Sequence, residues 1–286
     1  MISHFRRLAT AVFAVPVALT LTSHVAMAQR TTAEPFAWEG SLVAGQTLEI
    51  KGVNGSIDAV PTTNGTARVE AVRSGRRNDP NEVEIAVVEH AGGATICAVY
   101  PSSGSRANEC LPGDAGRISS RRNDVQVEFT VAVPDGVALV ANTTNGSIEA
   151  EGLTGPIVAH STNGDVRVEG GARVIARTTN GSITIASAGE ADARTTNGQI
   201  TARLGSMTST DPLDFRTTNG SITLDVPPDA NFDIDASTSN GGIETALPIT
   251  VQGRLGRNNL TGRIGSGGRE VRLRTTNGRI SIESGV

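Results

Sequence analysis

Apolar and polar residues alternate with a period of two on both sides of a recurring Asn-Gly step. Counting from the Asn, the positions six and four before it are apolar in Leu139 and Ala141, Ile157 and Ala159, Val174 and Ala176, Leu213 and Phe215, Ile234 and Ala236, and Val271 and Leu273. Positions three and five after it hold Ile148 and Ala150, Val166 and Val168, Ile183 and Ile185, Ile222 and Leu224, and Ile280 and Ile282. The residues between them are polar or charged, such as Glu149, Arg167, Thr184 and Thr223. A period of two marks a strand with one face buried, so each unit reads strand, Asn-Gly turn, strand, second turn. Asn and Gly both tolerate positive φ, which predicts a turn that uses it.

The step lies within Thr-Thr-Asn-Gly, which begins at Thr62, Thr143, Thr178, Thr195, Thr217 and Thr275, and within the near copies Ser-Thr-Asn-Gly and Thr-Ser-Asn-Gly. From Asn145 onward the steps at Asn163, Asn180, Asn197, Asn219, Asn240 and Asn277 fall 18, 17, 17, 22, 21 and 37 residues apart. A period near 17 to 22 residues marks an architecture in which each unit needs its neighbours to bury its apolar face. Two all-β folds fit: a meander of antiparallel hairpins, for which Asn-Gly is the strongest local signal, and a β-solenoid. The solenoid is the better fit because the whole tetrapeptide recurs, whereas a hairpin needs only the Asn-Gly pair. Stacked coils about 4.8 Å apart would let like side chains bond up and down the stack. The expected fold is a single all-β solenoid carrying a turn ladder of Asn145, Asn163, Asn180, Asn197, Asn219, Asn240 and Asn277. Thr143, Thr178, Thr195, Thr217, Thr238 and Thr275 have inward parity and read as structural.

The repeat is interrupted for 81 positions between Asn64 and Asn145. Alternating runs at Ala67–Val72, Val83–Val88 and Val125–Val133 are separated there by polar stretches, which predicts an irregular strand-and-loop insertion over about 66–140 within a domain of 29–286. Its loops hold Arg76, Arg77, Arg106, Arg117, Arg121 and Arg122, a solvated loop face or a docking patch for an acidic polymer or partner. The 37-residue gap after Asn240 suits about two further coils, with Gly262, Gly265, Gly267 and Gly268 at tight turns.

Residues 1–28 read as a secretory signal peptide. Arg6 and Arg7 open it, an apolar stretch runs from Leu8 to about Leu21, and Ala26-Met27-Ala28 offers a small-x-small cleavage site before Gln29. The expected location is periplasmic or secreted, with no later segment able to span a bilayer as a helix. The signal removes two arginines and no acids, leaving 23 basic against 29 acidic residues. That mild acidity without a basic stripe argues against nucleic acid as a partner. In an oxidising compartment Cys97 and Cys110 are expected to form a disulfide. A metal site is the weaker alternative, since His90 and His160 stand in no recognisable ligand spacing.

No catalytic, cofactor-binding or metal-binding motif is present. Asp165, Asp192, Asp211 and Asp214 do not recur at one coil position as the convergent carboxylates of a glycan-cleaving β-helix would. No Gly-x-Ser-x-Gly elbow occurs, and Gly265-Ser-Gly-Gly268 is followed by neither a lysine nor a helix start. One Trp (Trp38), one Tyr (Tyr100) and six Phe leave little for an aromatic sugar platform.

Three stretches, Gly40–Ala59, Val127–Ile148 and Leu260–Ile280, carry a further signal. Each runs a strand into a Gly turn, and Pro134-Asp135-Gly136 makes a corner in the second. Together they resemble the bacterial putative-adhesin family, also called toastrack-like domains, over almost all of the chain after the signal. The resemblance implies a β-solenoid of the bacterial envelope and brings no catalytic residues with it. The expected function is an exported, non-enzymatic adhesin or cell-envelope binding scaffold, needing no cofactor and contacting an envelope or extracellular polymer or protein. The alternatives are a glycan-active lyase or hydrolase on a β-helix, and a periplasmic accessory of an envelope-stress system, the latter suggested by the resemblance alone.

Overall fold

The computed structural model describes residues 30–102, 107–120, 122–187, 190–207, 209–251 and 256–285. The expected signal peptide, Arg106 and Arg121 lie outside them. Among the described residues the chain forms two twelve-stranded sheets, a two-stranded ribbon and one 3-10 turn at Pro80–Glu82. No helix among them is long and apolar enough to cross a membrane.

The two strands that flank an Asn-Gly step belong to different sheets, which separates the solenoid from the meander. Ala138–Asn142 lies in the second sheet and, after the turn, Ile148–Leu153 lies in the first. Each then pairs in parallel with its counterpart one coil on: Leu139 faces Ile157 and Ala141 faces Ala159, while Ile148 faces Val166 and Ala150 faces Val168. The same register carries on through Val174, Ile183 and Ile200. Alternate residues of both sheets therefore point into one slab-like core, where Leu139, Ile148, Ile157, Ile183 and Phe215 are fully buried. Parallel in-register stacking is why the repeat had to conserve residue type at each position and not merely polarity.

The stretch expected as an insertion closes the N-terminal end of both sheets. Gln126–Pro134 runs parallel to Ile57–Thr62 and antiparallel to Thr66–Gly75. Gly93–Val99 runs parallel to Thr47–Lys51 and makes a hairpin with Glu84–His90. The irregular part is confined to the excursion after Tyr100, which folds back over the outer face of the second sheet. Cys97 and Cys110 are bonded, with Cα atoms 5.8 Å apart. Beside them the buried Lys51 ammonium donates to the carbonyls of Leu111, Gly113 and Ala115 and lies 3.5 Å from Glu49. All three ammonium hydrogens thus find acceptors, as a buried cation requires.

The C-terminal end departs from the expected two further coils. Ile249–Val251 and Asn259–Ile264 pair with each other in antiparallel fashion, and the latter runs antiparallel to Phe232–Asn240. The last strands, Arg269–Asn277 and Ile280–Ser284, then slot between the coil of Leu213–Val226 and that of Phe232–Thr245. The final coil in sequence is thus penultimate in space, and the antiparallel pair covers an edge of the second sheet that would otherwise offer unpaired backbone groups.

Candidate functional site

The edge where the chain crosses from the second sheet to the first repeats one set of bonds in every coil. The first Thr (or Ser) of the motif is buried and its hydroxyl donates to the carbonyl of the Gly one coil below: Ser161 to Gly146 at 2.9 Å, Thr178 to Gly164 at 3.0 Å, Thr195 to Gly181 at 2.9 Å and Thr217 to Gly198 at 2.9 Å. The second Thr accepts through its carbonyl from the Asn of the next coil, as in Asn180 N–H to Thr162 at 2.8 Å. The Asn amide Nδ2 donates to the Asn Oδ1 below, from Asn240 through Asn277, Asn219, Asn197, Asn180, Asn163 and Asn145 to Asn54, at 2.7 or 2.8 Å throughout.

All seven expected ladder residues are on it, and Asn54, at the Asn-Gly turn of the first strand pair, is an eighth member outside the Thr-Thr-Asn-Gly motif. Its Gly52-Val53-Asn54-Gly55 lacks the threonines, so only the Asn-Gly pair signalled it. Asn64, inside a full Thr-Thr-Asn-Gly, is off the ladder: its Oδ1 accepts from Thr62 Oγ1 at 2.7 Å and Thr66 N–H at 3.1 Å. The strands flanking Asn64 do not stack as a coil because Gln126–Pro134 lies between them.

The expected reason for Asn-Gly needs correction. No ladder Asn has positive φ, and among the described non-glycine residues only Arg122 does, at 58°; of the ladder glycines, Gly55 at 129° and Gly164 and Gly220 at 158° do, whereas Gly146, Gly181 and Gly198 do not. Gly is demanded at Gly146, Gly181 and Gly198 by contact instead, because a Cβ there would meet the carbonyl oxygen of the Gly below at 1.9 to 2.1 Å. The coils are held close by the amide ladder, and only a residue without a side chain fits between them.

Two further columns of this edge have no such structural task. Thr144, Thr162, Thr179, Thr196, Thr218 and Thr276 are exposed, and their hydroxyls make no hydrogen bond among the described residues. One outward position earlier, Arg177 faces Arg194, Arg194 faces Arg216 and Arg216 faces Arg274, all exposed, with His160 next in line. Arg194 reaches Asp214 at 2.5 Å and Arg274 reaches Asp235 at 2.9 Å, whereas Arg177 and Arg216 have no carboxylate within 4 Å among the described residues. The sequence carries this signal in four copies of Arg-Thr-Thr-Asn-Gly, one residue longer than the tetrapeptide.

The loop arginines are not gathered into a comparable array. Arg76 and Arg77 follow the strand Thr66–Gly75, Arg117 lies in the ribbon of Glu109–Cys110 with Gly116–Arg117, and Arg122 follows it. Asp124 ties the two loops, accepting from the N–H of Asn78 at 2.9 Å and of Arg77 at 3.1 Å, bonds that hold its carboxyl below the usual range.

A cleft of about 370 Å³ opens where the disulfide loop meets the second sheet, lined by Glu49, His90, Asp114, Val140, Val158 and His160. Gly92 N–H donates to His90 Nδ1 at 3.2 Å, so a neutral His90 carries its proton on Nε2, facing Thr95 Oγ1 at 3.4 Å. Thr95 donates to Glu49 at 2.9 Å. Burial, with Arg177 nearby, pushes the His160 imidazole below its ordinary range against the pull of Asp114. No group of three metal-ligating side chains occurs among the described residues.

The four aspartates do not converge as a hydrolytic pair would. Asp192 and Asp214 do share an outward position in successive coils, contrary to expectation, yet Asp214 N–H donates to Asp192 at 2.9 Å and Arg194 holds Asp214. Asp211 pairs with Arg173 at 3.2 Å, and Asp165 sits across the edge, accepting from Ser182 N–H at 2.7 Å.

The family model described as Toastrack DUF4097 matches residues 117–283. Among solved structures, a putative cell adhesion protein from Clostridium sporogenes ATCC 15579 is 12% identical with a TM-score of 0.41, over 88% of this chain and 100% of that one. A putative adhesin from Bacteroides fragilis NCTC 9343 is 12% identical with a TM-score of 0.36, over 88% of this chain and 97% of that one. One from Parabacteroides distasonis ATCC 8503 is 9% identical with a TM-score of 0.31 over the same shares. No curated protein matches the chain.

Proposed function

From the premise that the chain belongs to the Toastrack DUF4097 family, we propose that it is an exported, non-enzymatic adhesin-like scaffold that binds an envelope or extracellular partner along its Asn-Gly edge. The observation that carries this reading is the exposed Thr column. The fold accounts for the buried Thr, the Asn and the Gly of each motif through bonds or contact, but it gives the exposed Thr hydroxyl nothing to do. A side chain that recurs six times at the surface without an internal bond is available to a ligand that repeats along the same axis. Each ladder amide from Asn145 to Asn219 uses one of its two N–H groups and one oxygen lone pair in the ladder, which leaves it further hydrogen-bonding capacity. Binding on such an edge sums many weak contacts, which needs no pocket and no aromatic platform.

The test replaces Thr179, Thr196 and Thr218 together with Val, which keeps the β-branched shape and removes the hydroxyl. Parent and variant are applied to an immobilised panel of envelope and extracellular glycans, with release of reducing or unsaturated ends measured in parallel. The expected result is an unchanged melting temperature, retention of the parent by at least one glycan, weaker retention of the variant, and no released ends. Turnover by the parent that disappears on changing Asp165, Asp192, Asp211 or Asp214 would place the chain among glycan-active enzymes instead.

A further inference from the structure

We propose that the column Arg177, Arg194, Arg216 and Arg274 is a rail for a linear polyuronate, an acidic polysaccharide with one carboxylate per sugar, lying across the strands and along the solenoid axis. The inference rests on the scaffold reading and names its ligand class.

Four arginines directly above one another are a poor choice for folding alone. Neighbouring parallel strands are about 4.8 Å apart, and like charges facing each other across a sheet destabilise it. A structural column would be offset by acids in the same or the adjacent column, and the rest of this face does that. Arg173 lies between Glu190, Asp192 and Asp211, Arg272 holds Glu270, and Arg263 holds Asp233. Asp214 and Asp235 are taken by Arg194 and Arg274. Asp192, Asp214 and Asp235 are thus each held by an arginine, and the guanidinium groups of Arg177 and Arg216 are left without a carboxylate within 4 Å among the described residues.

The geometry selects the form of the missing anion. A guanidinium takes a carboxylate by a planar two-point fork, and the two unengaged forks, Arg177 and Arg216, stand two coils apart with Arg194 between them, about 9.6 Å at ~4.8 Å per coil, close to the span of two sugars along a linear chain. A compact anion would reach only one of them. Beside the rail run the exposed Thr hydroxyls and the ladder amides, which suit the hydroxyls of sugars. On the other side the flanking column is Ile175 beside Arg177, then Asp192, Asp214 and Arg272 beside Arg194, Arg216 and Arg274, so sugar contacts come from the Thr side of the rail. Nucleic acid is also a linear polyanion, but among the described residues no exposed aromatic column accompanies the arginines for bases to stack on.

The experiment measures binding of the full mature chain to polygalacturonate, with dextran and single-stranded DNA as comparison polymers, over a range of salt. The Arg177→Ser/Arg216→Ser double variant removes the two charges that hold nothing, and Arg76→Ser/Arg77→Ser serves as the loop control. The expected results are binding of the parent to polygalacturonate but not dextran, a loss of about tenfold or more at low salt in the column variant, and a shallower salt dependence by roughly one to two in the log–log slope. Without polymer, the column variant should melt at or above the parent, because repulsion is removed and no bond is lost. Equal binding by column variant and parent would overturn the rail while leaving the scaffold standing if a glycan still retains the parent. A parent that ignores polygalacturonate, or binds DNA at least as tightly, overturns the polyuronate assignment. Cleavage of the polymer would sink the scaffold reading itself.

Discussion

The side-chain amide of Asn145 donates to Oδ1 of Asn54 at 2.8 Å across 91 residues of sequence. With the parallel pairing of Ala138–Asn142 on Thr47–Lys51 and of Ile148 on Ile57, that bond joins the regular repeat to a coil formed before the interruption, so the whole excursion between them is looped out of one continuous ladder. Every amide in the ladder donates in the same direction, and at its foot Asn54 Nδ2 donates to Ser120 Oγ at 3.2 Å and to the carbonyls of Asn123 and Val125 at 3.3 and 3.4 Å. Aligned amides polarise one another, so each bond in such a chain is strengthened by the next.

Removing one rung should therefore cost more than one isolated exposed hydrogen bond. Asn180→Ala and Asn197→Ala are each expected to lower stability by about 1 kcal/mol or more, because each deletes a donor and an acceptor and breaks the alignment. Asn64→Ala, in the same tetrapeptide but off the ladder, should cost less than either. Thermal and urea denaturation of the three variants against the parent measures this. Equal losses for Asn64 and Asn180 would mean that the turn, not the ladder, is what the Asn serves.

Much of this was legible in the sequence, for a physical reason: parallel in-register stacking makes every column a repeat, and repeats are visible without a structure. The inward parity of Thr143 and its counterparts and the ladder from Asn145 to Asn277 follow from spacing, and the Cys97–Cys110 bond was expected from two cysteines behind an expected export signal. Positive φ at the Asn did not follow, because tolerance of a conformation says nothing about whether it is used. The close carbonyl approach that selects Gly198 is a distance between coils, invisible along the chain. Asn54 lies outside the tetrapeptide because Gly52 and Val53 stand in place of its threonines, and the displaced order of the last coil depends on which edge is left open after Val226. The arginine column stands in the sequence as Arg177, Arg194, Arg216 and Arg274, each directly before a Thr-Thr-Asn-Gly, whereas the loop arginines are left scattered by the fold.

Gly198→Ala tests the contact argument. Its Cβ would stand 1.9 Å from the carbonyl oxygen of Gly181, and that oxygen already accepts from Thr195 at 2.9 Å. Neither backbone can give way without opening the coil stack, so the expected cost is about 3 kcal/mol or more. Gly45, with open space at its Cβ position but a φ of 88°, supplies the contrast: Gly45→Ala carries backbone strain alone, on the order of 1–2 kcal/mol. Chemical denaturation of both variants should rank Gly198 well above Gly45. The reverse ranking would return the explanation to backbone conformation.

The disulfide and the Lys51 anchor fasten one excursion at two points. Reduction of Cys97–Cys110 should lower stability by about 3 kcal/mol in the loop-entropy account, while leaving the coils from Asn145 onward folded, since among the described residues none of their hydrogen bonds or ion pairs runs to the loop. Purified protein denatured without reductant should contain no titratable thiol. Hydrogen exchange before and after reduction should change around residues 107–120 and not along Ile183–Ser187 or Ile200–Leu204. Two reactive thiols in the unreduced protein, or loss of the whole solenoid on reduction, would contradict this division.

Tyr100 gives the fold a measurable alkaline limit. Its ring is buried, and its hydroxyl donates to the Val125 carbonyl at 2.9 Å, beside the foot of the ladder. Burial disfavours the phenolate and pushes the pKa from 10.0 up to about 12, with bonds to Asn54 opposing in part. In the unfolded chain the phenol loses its proton near the ordinary value, so above that pH unfolding releases a proton that the folded state retains. The contribution to stability is fully present below pH 10 and is lost as pH rises towards 12, at about 1.4 kcal/mol per unit and thus on the order of 2–3 kcal/mol in all. The chain has a single tyrosine, so tyrosinate absorbance follows this group directly. The folded protein should titrate near 12 and the urea-unfolded protein near 10, while Tyr100→Phe should flatten the fall in stability between those values. A folded-state midpoint near 10 would mean that the ring is open to solvent and that the foot of the ladder is not sealed.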